Sequence, residues 1–178
     1  MGVNHIAIAV KDIQATHRFY TEAMGFELVK TEIVPKNGGF MRHAFYSTGS
    51  AEDQLIAFWD LSGVPGVGEL TTDICRDLGF DPLTNHIAFQ AADVDDIERR
   101  KRRWLDHGHD VLEIDHGWVH SIYTEDPDRI AVEFAVITEP LTEADAREAH
   151  ELLFDPAPPM SADDPRVSFH QAPAATPT

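Results

Sequence analysis

The sequence predicts an α+β fold built from two tandem βαβββ modules. Asn-His-Ile-Ala occurs at residues 4–7 and again at residues 85–88, which is 81 positions later (85 − 4). Each copy opens a stretch with strand character, and each is followed by an aspartate and by residues with helical periodicity. The repeat returns further along, where HAFYST (43–48) matches HSIYTE (120–125). A supersecondary unit that recurs at this spacing indicates a duplicated module.

The first module is predicted to span residues 1–60. Its first strand is VNHIAIAV (3–10), and Asp12 is placed to cap a helix that stops at Gly25. Three further strands are predicted, separated by turns that contain glycine, proline or small polar residues. Their sequences are FELVKTEI, FMRHAFYS and QLIAFWDL.

The second module is predicted at residues 85–137, after a connection at residues 61–84 that contains a short helix. It repeats the same order with the strand NHIAFQAA, the helix DVDDIERRKRRWLDHG and the strands DVLEI, WVHSIYT and RIAVEFAVI. Residues 138–178 are predicted to form a helix from Leu141 and then an acidic, proline-rich tail. We expect this tail to be disordered and mobile beyond about Pro158.

The charge of the chain narrows the classes of partner. The 178 residues include 31 acidic and 14 basic side chains, which gives a formal net charge of −17. Such a chain repels nucleic-acid phosphates and anionic membrane surfaces, so we expect neither as a partner and instead expect a small molecule. Cys75 is the one cysteine, and we see no leader or long apolar run in the sequence. These features predict a cytoplasmic protein.

The repeated motifs resemble the vicinal oxygen chelate superfamily, which includes glyoxalases, bleomycin-resistance proteins, epimerases and extradiol dioxygenases. The resemblance spans about residues 3–137 and is carried by VNHIAIAVKDIQATHRFYTEAMGFELV, TNHIAFQAADVDDIE and SIYTEDPDRIAVEF. It implies a half-open mixed β-barrel with metal ligands that project inward from the first and last strands of the modules. It places these ligands at His5, His86 and Glu133, and it implies a possible homodimer.

The alternation of side chains along each strand supports the same three positions. His5, His86 and Glu133 each share a strand face with alanines, while the neighbouring positions hold Ile, Val or Phe. Alanines leave room for an ion and its ligand. A carboxylate within an apolar strand is also costly to bury without a partner. For each histidine taken alone, an ordinary structural role is the alternative.

The number of ligands predicts the chemistry. Laying DRIAVEF on DQLIAFW puts Phe58 opposite Glu133, so the first module offers no carboxylate at that place, although Gln54 is a possible weaker ligand. Two histidines and one carboxylate form the facial triad of Fe(II) oxygenases. The resemblance therefore implies an extradiol-type dioxygenase that cleaves a catechol-like ring. The alternatives are a Zn, Ni or Mn lyase or isomerase for a vicinal diol or α-oxo compound, and a non-catalytic sequestering protein.

Three further residues are candidates for catalysis. Tyr123 lies ten positions before Glu133 and matches the tyrosine that contacts a substrate oxygen in extradiol enzymes, although it is equally consistent with a core aromatic residue like Tyr46. His116 and His120, in the segment HGWVH, are candidate acid–base groups. His116 resembles a histidine beside the site of those enzymes. His120 has the opposite strand parity to Tyr123, which favours a structural role.

Overall fold

The computed structural model describes residues 3–49, 54–160 and 165–174. None of the helices in these ranges is both long enough and apolar enough to span a membrane. The strands are β1 (His5–Val10), β2 (Glu27–Lys36), β3 (Gly39–Ser47), β4 (Leu55–Asp60), β5 (His86–Gln90), β6 (Val111–Asp115), β7 (Val119–Glu125), β8 (Ala131–Ile137) and β9 (Arg166–His170). The helices are α1 (Ile13–Arg18), which continues into a π-helical turn (Phe19–Ala23), α2 (Ile74–Asp77), α3 (Val94–Asp106) and α4 (Glu143–Phe154).

The strands form two sheets, one for each predicted module. The first sheet has the order β1-β4-β3-β2 and the second has the order β5-β8-β7-β6-β9. In each sheet the first strand pairs in parallel with the last strand of its module, and the other pairs are antiparallel. The two βαβββ modules are therefore confirmed. Within the described residues the sheets do not close into a barrel, and β1 and β5 each lie at a sheet edge.

The repeated aspartates cap the first helix of each module. The Asp12 carboxylate accepts a hydrogen bond from the backbone N–H of Ala15 at 3.1 Å. The Asp93 carboxylate accepts the equivalent bond from the N–H of Asp96 at 2.7 Å. Each cap satisfies donors that a helix leaves unpaired in its first turn. Each cap also fixes the point at which the chain turns from the first strand of the module into its helix.

A single apolar core joins the modules through the helix-covered sides of both sheets. The Phe26 ring lies 5.0 Å from Phe89 and 6.3 Å from Phe134, between centroids. Trp104 of α3 is fully buried against Phe134, with ring centroids 5.3 Å apart. The opposite side of each sheet, which we call its open face, points away from this core. His5 lies on the open face of the first sheet.

The strand register corrects one sequence-based alignment. Glu133 pairs with Ala88, two residues after His86, and the corresponding pair in the first sheet is Ala57 with Ala7, two residues after His5. The counterpart of Glu133 is thus Ala57, and the prediction of Phe58 was wrong by one residue. Phe58 is fully buried in the core. The inference that the first module supplies no carboxylate still holds, since the counterpart is an alanine.

The two tyrosines of the repeat, Tyr46 and Tyr123, also differ by one residue in strand register. Tyr123 pairs with Glu133, whereas the strand partner of Ala57 is Phe45. Tyr46 lies on the core side and packs against Phe58, with ring centroids 5.5 Å apart. A slip of one residue moves a strand side chain to the other face of its sheet. Tyr123 is therefore on an open face although its match in the sequence is a core residue.

The end of the chain differs from the expectation of a mobile tail beyond Pro158. Strand β9 pairs antiparallel with β6, from Arg166 opposite Asp115 to His170 opposite Val111. Arg166 forms an ion pair with Asp115. Without β9, strand β6 would be an unpaired sheet edge, so its backbone groups give this polar segment a hydrogen-bonding partner. That partner is distant in sequence, and composition alone does not reveal it.

Asp126 stabilises the turn before β8 in a way that depends on pH. Its Oδ1 accepts hydrogen bonds from the backbone N–H groups of Asp128 and Ile130, both at 2.9 Å. The buried Tyr20 hydroxyl donates to Oδ2 at 3.1 Å. Burial, helped by the negative charge of Asp128, raises the pKa of Asp126 to about 6. The folded state therefore prefers the protonated carboxyl.

We expect Asp126→Asn to flatten the pH dependence of stability. With a raised pKa, the contribution of Asp126 is complete below its unfolded value and is lost as the pH rises through about 6. Between pH 4 and pH 7.5 the wild type should lose roughly 2–3 kcal/mol that the variant does not lose. Urea denaturation of both proteins across this range measures the difference. Parallel curves would contradict the assignment.

Candidate metal centre

His86 and Glu133 form a close polar pair on the open face of the second sheet. His86 opens β5 and Glu133 lies in β8, with Nε2 of the histidine 2.9 Å from Oε2 of the glutamate. Nδ1 of His86 lies 2.6 Å from the carbonyl oxygen of Leu83 and donates to it. A histidine held at one nitrogen in this way presents the other nitrogen in a fixed direction. Here Nε2 is aimed at the carboxylate.

The pair fits a divalent cation. Glu133 is 5 % exposed, and a buried carboxylate requires a compensating charge. Two ligand atoms that each lie about 2.1 Å from an ion at a right angle are about 3 Å apart. The Nε2 to Oε2 distance of 2.9 Å matches that separation. Imidazole and carboxylate together suit Fe, Mn and Zn.

Tyr123 lies beside this pair. It is the strand partner of Glu133, and its ring meets the His86 ring edge-on at 5.8 Å between centroids. Burial, together with the negative charge of Glu133, raises the pKa of Tyr123 to about 12. The hydroxyl is therefore protonated at neutral pH, and it can donate a hydrogen bond to an oxygen atom of a ligand.

His5 does not join the pair within one chain. It is exposed, its Nδ1 lies 2.7 Å from Oδ1 of Asn4, and its nearest ring neighbours are Phe45 at 5.8 Å and His43 at 6.4 Å. In the part of the chain that the structure describes, no three His, Cys, Asp or Glu side chains are grouped so as to hold a metal ion. The structure thus brings together two of the three predicted ligands.

The two candidate acid–base histidines are placed differently. His120 lies on the helix-covered side of the second sheet, with its Nε2 2.7 Å from Oε1 of Glu113. Burial opposes the ionisation of Glu113, but hydrogen bonds from Lys101, His120 and His170 outweigh it and lower the pKa of Glu113 to about 2. This cluster points away from Glu133. His116 lies in the exposed turn between β6 and β7.

A cavity of about 590 Å³ adjoins the pair and includes residues that the sequence analysis missed. Tyr123 and Leu83 connect the cavity to the pair, because the Tyr123 ring packs on His86 and the Leu83 carbonyl accepts a hydrogen bond from the His86 ring. Phe169 of β9 contributes to the far wall, and no signal in the sequence showed that β9 would pair with β6. The lining residues are Asp81, Pro82, Leu83, Gly108, His109, Asp110, Leu112, Tyr123, Thr124, Glu125, Ala131 and Phe169.

The sequence pattern of the Glyoxalase/Bleomycin resistance protein/Dioxygenase superfamily matches residues 2–134. The chain belongs to this superfamily. The match ends one residue after Glu133 and so includes both modules as far as the His86–Glu133 pair, while α4 and β9 lie outside it. No curated protein matches the chain in sequence.

Solved structures of superfamily members share the fold at low sequence identity. A glyoxylase/bleomycin resistance protein/dioxygenase domain from Frankia sp. EAN1pec is 18% identical, with a TM-score of 0.55, and the match covers 77% of this chain and 98% of that one. A point mutant of the fosfomycin resistance protein FosX from Listeria monocytogenes, complexed with Mn(II) and 1S,2S-dihydroxypropylphosphonic acid, is 20% identical, with a TM-score of 0.55 and coverage of 82% and 97%. A possible glyoxalase from Bacillus cereus is 17% identical, with a TM-score of 0.51 and coverage of 76% and 99%.

Proposed function

We propose that this protein is a metal-dependent enzyme that acts on a small molecule. The observation that carries the proposal is the pairing of His86 with the buried Glu133 on an open sheet face. His86 and Glu133 hold the cation from one chain, and His5 of a second copy supplies the third ligand. The related Listeria protein was solved with Mn(II), which supports a divalent metal in this fold.

The positions of His5 and His86 support the participation of a second copy. His5 and His86 occupy equivalent places on β1 and β5, each at the edge of its sheet with its open face uncovered. In a twofold homodimer, the first sheet of each copy can face the second sheet of the other. Each of the two sheet-to-sheet contacts then forms one complete ligand set, and the twofold symmetry makes the two sites equal. A sequestering protein that binds no metal has no need of histidines at both equivalent places, which argues against that alternative.

The favoured reaction is extradiol-type cleavage of a catechol-like ring. His86, Glu133 and His5 of a second copy would hold an Fe(II) ion, and a site with three protein ligands would leave room for a diol and for dioxygen. Tyr123 donates a hydrogen bond to one substrate oxygen, and Leu83 keeps the His86 ring oriented. His116 is the candidate for moving a proton. The second candidate is a lyase or isomerase with Mn, Zn or Ni, which the Mn(II) complex of the Listeria relative favours.

Metal content and oxygen uptake test the proposal. The protein is purified anaerobically without a metal-chelating tag, its metals are measured, and oxygen consumption is followed with a panel of catechols. Near-stoichiometric iron with substrate-dependent uptake supports the dioxygenase. Bound Mn, Zn or Ni without uptake shifts the reaction to a lyase or isomerase. Protein that binds none of these metals, even when they are added, would overturn the proposal.

Tyr123→Phe should reduce turnover and leave metal binding intact. The substitution removes one hydrogen-bond donor from the cavity, so we expect kcat to fall about 10- to 100-fold at unchanged metal content. Tyr46→Phe is a matched control, because Tyr46 is buried in the core and lies 2.9 Å from Nδ1 of His17. Equal losses in both variants, or none in either, would contradict a role for Tyr123 in turnover.

A further inference from the structure

One row of side chains runs across the second sheet from the pair of His86 and Glu133, which we call the metal pair, to Phe169 in β9. Glu133 pairs with Tyr123, Tyr123 with Leu112, and Leu112 with Phe169, across β8, β7, β6 and β9. Partners in register lie on the same face of a sheet, so all four residues are on the open face. The last three line the cavity of about 590 Å³. The row covers three strand spacings, or about 14 Å.

Strand β9 turns its polar side to the protein and its apolar side to the open face. On the helix-covered side, Arg166 forms an ion pair with Asp115, and Nε2 of His170 lies 2.6 Å from Oε2 of Glu113. On the open face, Phe169 is 61% exposed. A strand that only covers a sheet edge normally buries its apolar side and exposes its polar side. Edge protection therefore explains the pairing of β9 but not the position of Phe169.

The charges around the cavity disfavour an anionic ligand. Asp81 accepts a hydrogen bond from the backbone N–H of Leu83, and Asp110 accepts one from the backbone N–H of Ala172. Burial lowers the pKa of His109, which disfavours a positive charge on its ring. Among the described residues that line the cavity, none is Lys or Arg. Along this wall, away from the metal pair, a phosphonate or carboxylate would meet the Asp81 and Asp110 carboxylates, and no lysine or arginine of the lining would compensate its charge.

We propose that β9 forms part of the substrate site, where Phe169 selects a ligand whose elongated, apolar body carries no negative charge beyond its metal-binding end. The inference deepens the proposed function and rests on it. One end of the ligand lies at Tyr123, beside the metal pair, and its apolar body extends along Leu112 to Phe169. The strand lies outside the segment that matches the superfamily, so this selectivity belongs to this chain.

A matched pair of fluorescent probes tests the ligand class. N-Phenyl-1-naphthylamine is neutral, and 1-anilinonaphthalene-8-sulfonate is the same framework with a sulfonate. We expect the full-length protein to bind the neutral probe at least about tenfold more tightly. The double variant Asp81→Asn/Asp110→Asn should narrow this difference in affinity, because it removes two negative charges from the cavity. Both amides keep an oxygen that can accept the hydrogen bonds from the backbone N–H groups.

The role of Phe169 is tested with the same neutral probe. Phe169→Ala should weaken binding about fivefold or more, because the probe loses an aromatic wall. Phe154→Ala is the matched control, since Phe154 is an exposed phenylalanine on α4 outside the cavity and should bind the probe like the wild type. Gel filtration of both variants reports any change of assembly.

Several results would overturn the inference. Tighter binding of the sulfonate, or unchanged affinity for the neutral probe in Phe169→Ala, would do so. A change of oligomeric state in Phe169→Ala without a change in probe affinity would show that a second copy covers this surface instead. Probe binding needs no metal, so His86→Ala should lose metal and still bind the neutral probe. Failure of metal binding is thus distinguishable from failure of the cavity assignment.

Discussion

Glu133→Gln is expected to lower the affinity for the divalent metal about 100-fold or more while the protein stays folded. An amide is close in shape to a carboxylate but is a much weaker ligand. The substitution also removes a buried charge, so the metal-free variant should be at least as stable as the metal-free wild type. Metal titration followed by elemental analysis measures the affinity, and thermal unfolding measures the stability.

Glu32→Gln provides the control for this substitution. Glu32 also lies on an open sheet face, but it is solvent-exposed and its carboxylate lies 2.7 Å from Nζ of Lys30. The metal affinity of the Glu32→Gln variant should equal that of the wild type. Unchanged metal affinity in Glu133→Gln would contradict the proposed site, whereas loss of the folded state would point to a structural role for Glu133.

Mixing two inactive variants should rebuild metal sites. His5→Ala and Glu133→Gln are each expected to lose metal, because each removes a ligand from both sites of a dimer. In a mixed dimer both defects fall in one site and the other is intact. After random exchange, half of the dimers are mixed and each has one good site, so about a quarter of the wild-type sites should return. Metal content of the refolded mixture measures this fraction.

A second mixture controls for non-specific recovery. His86→Ala and Glu133→Gln both damage the part of the site that one chain supplies, so every mixed dimer has two defective sites. This mixture should recover no metal. Recovery in both mixtures, or full metal binding by His5→Ala alone, would exclude His5 of a second copy as the third ligand.

Local sequence patterns predicted the modules and the faces of their strands. These patterns each involve only a few neighbouring residues. They are the repeated Asn-His strands, the aspartate caps and the alanines beside His86 and Glu133. Their consequences follow from strand and helix periodicity. The same alternation indicated that His120 and Tyr123 lie on opposite faces. The register shows this arrangement, with His120 paired to Val136 on the core side.

Pairing between distant segments required the tertiary structure. Aligning Glu133 with Phe58 instead of Ala57 was an error of register, and register depends on which strand the chain meets. The segment around Phe169 alternates polar and apolar residues over only five positions, and it becomes β9 because β6 offers an unpaired edge.

The candidates for metal binding and the strand faces on which they lie follow from the sequence. Their meeting depends on the fold, which brings His86 to Glu133 in one chain and leaves His5 apart on the other sheet. The difference comes from the range of the forces. Side-chain alternation is fixed by bonds within a strand, whereas the meeting of two sheets depends on the core packed between them.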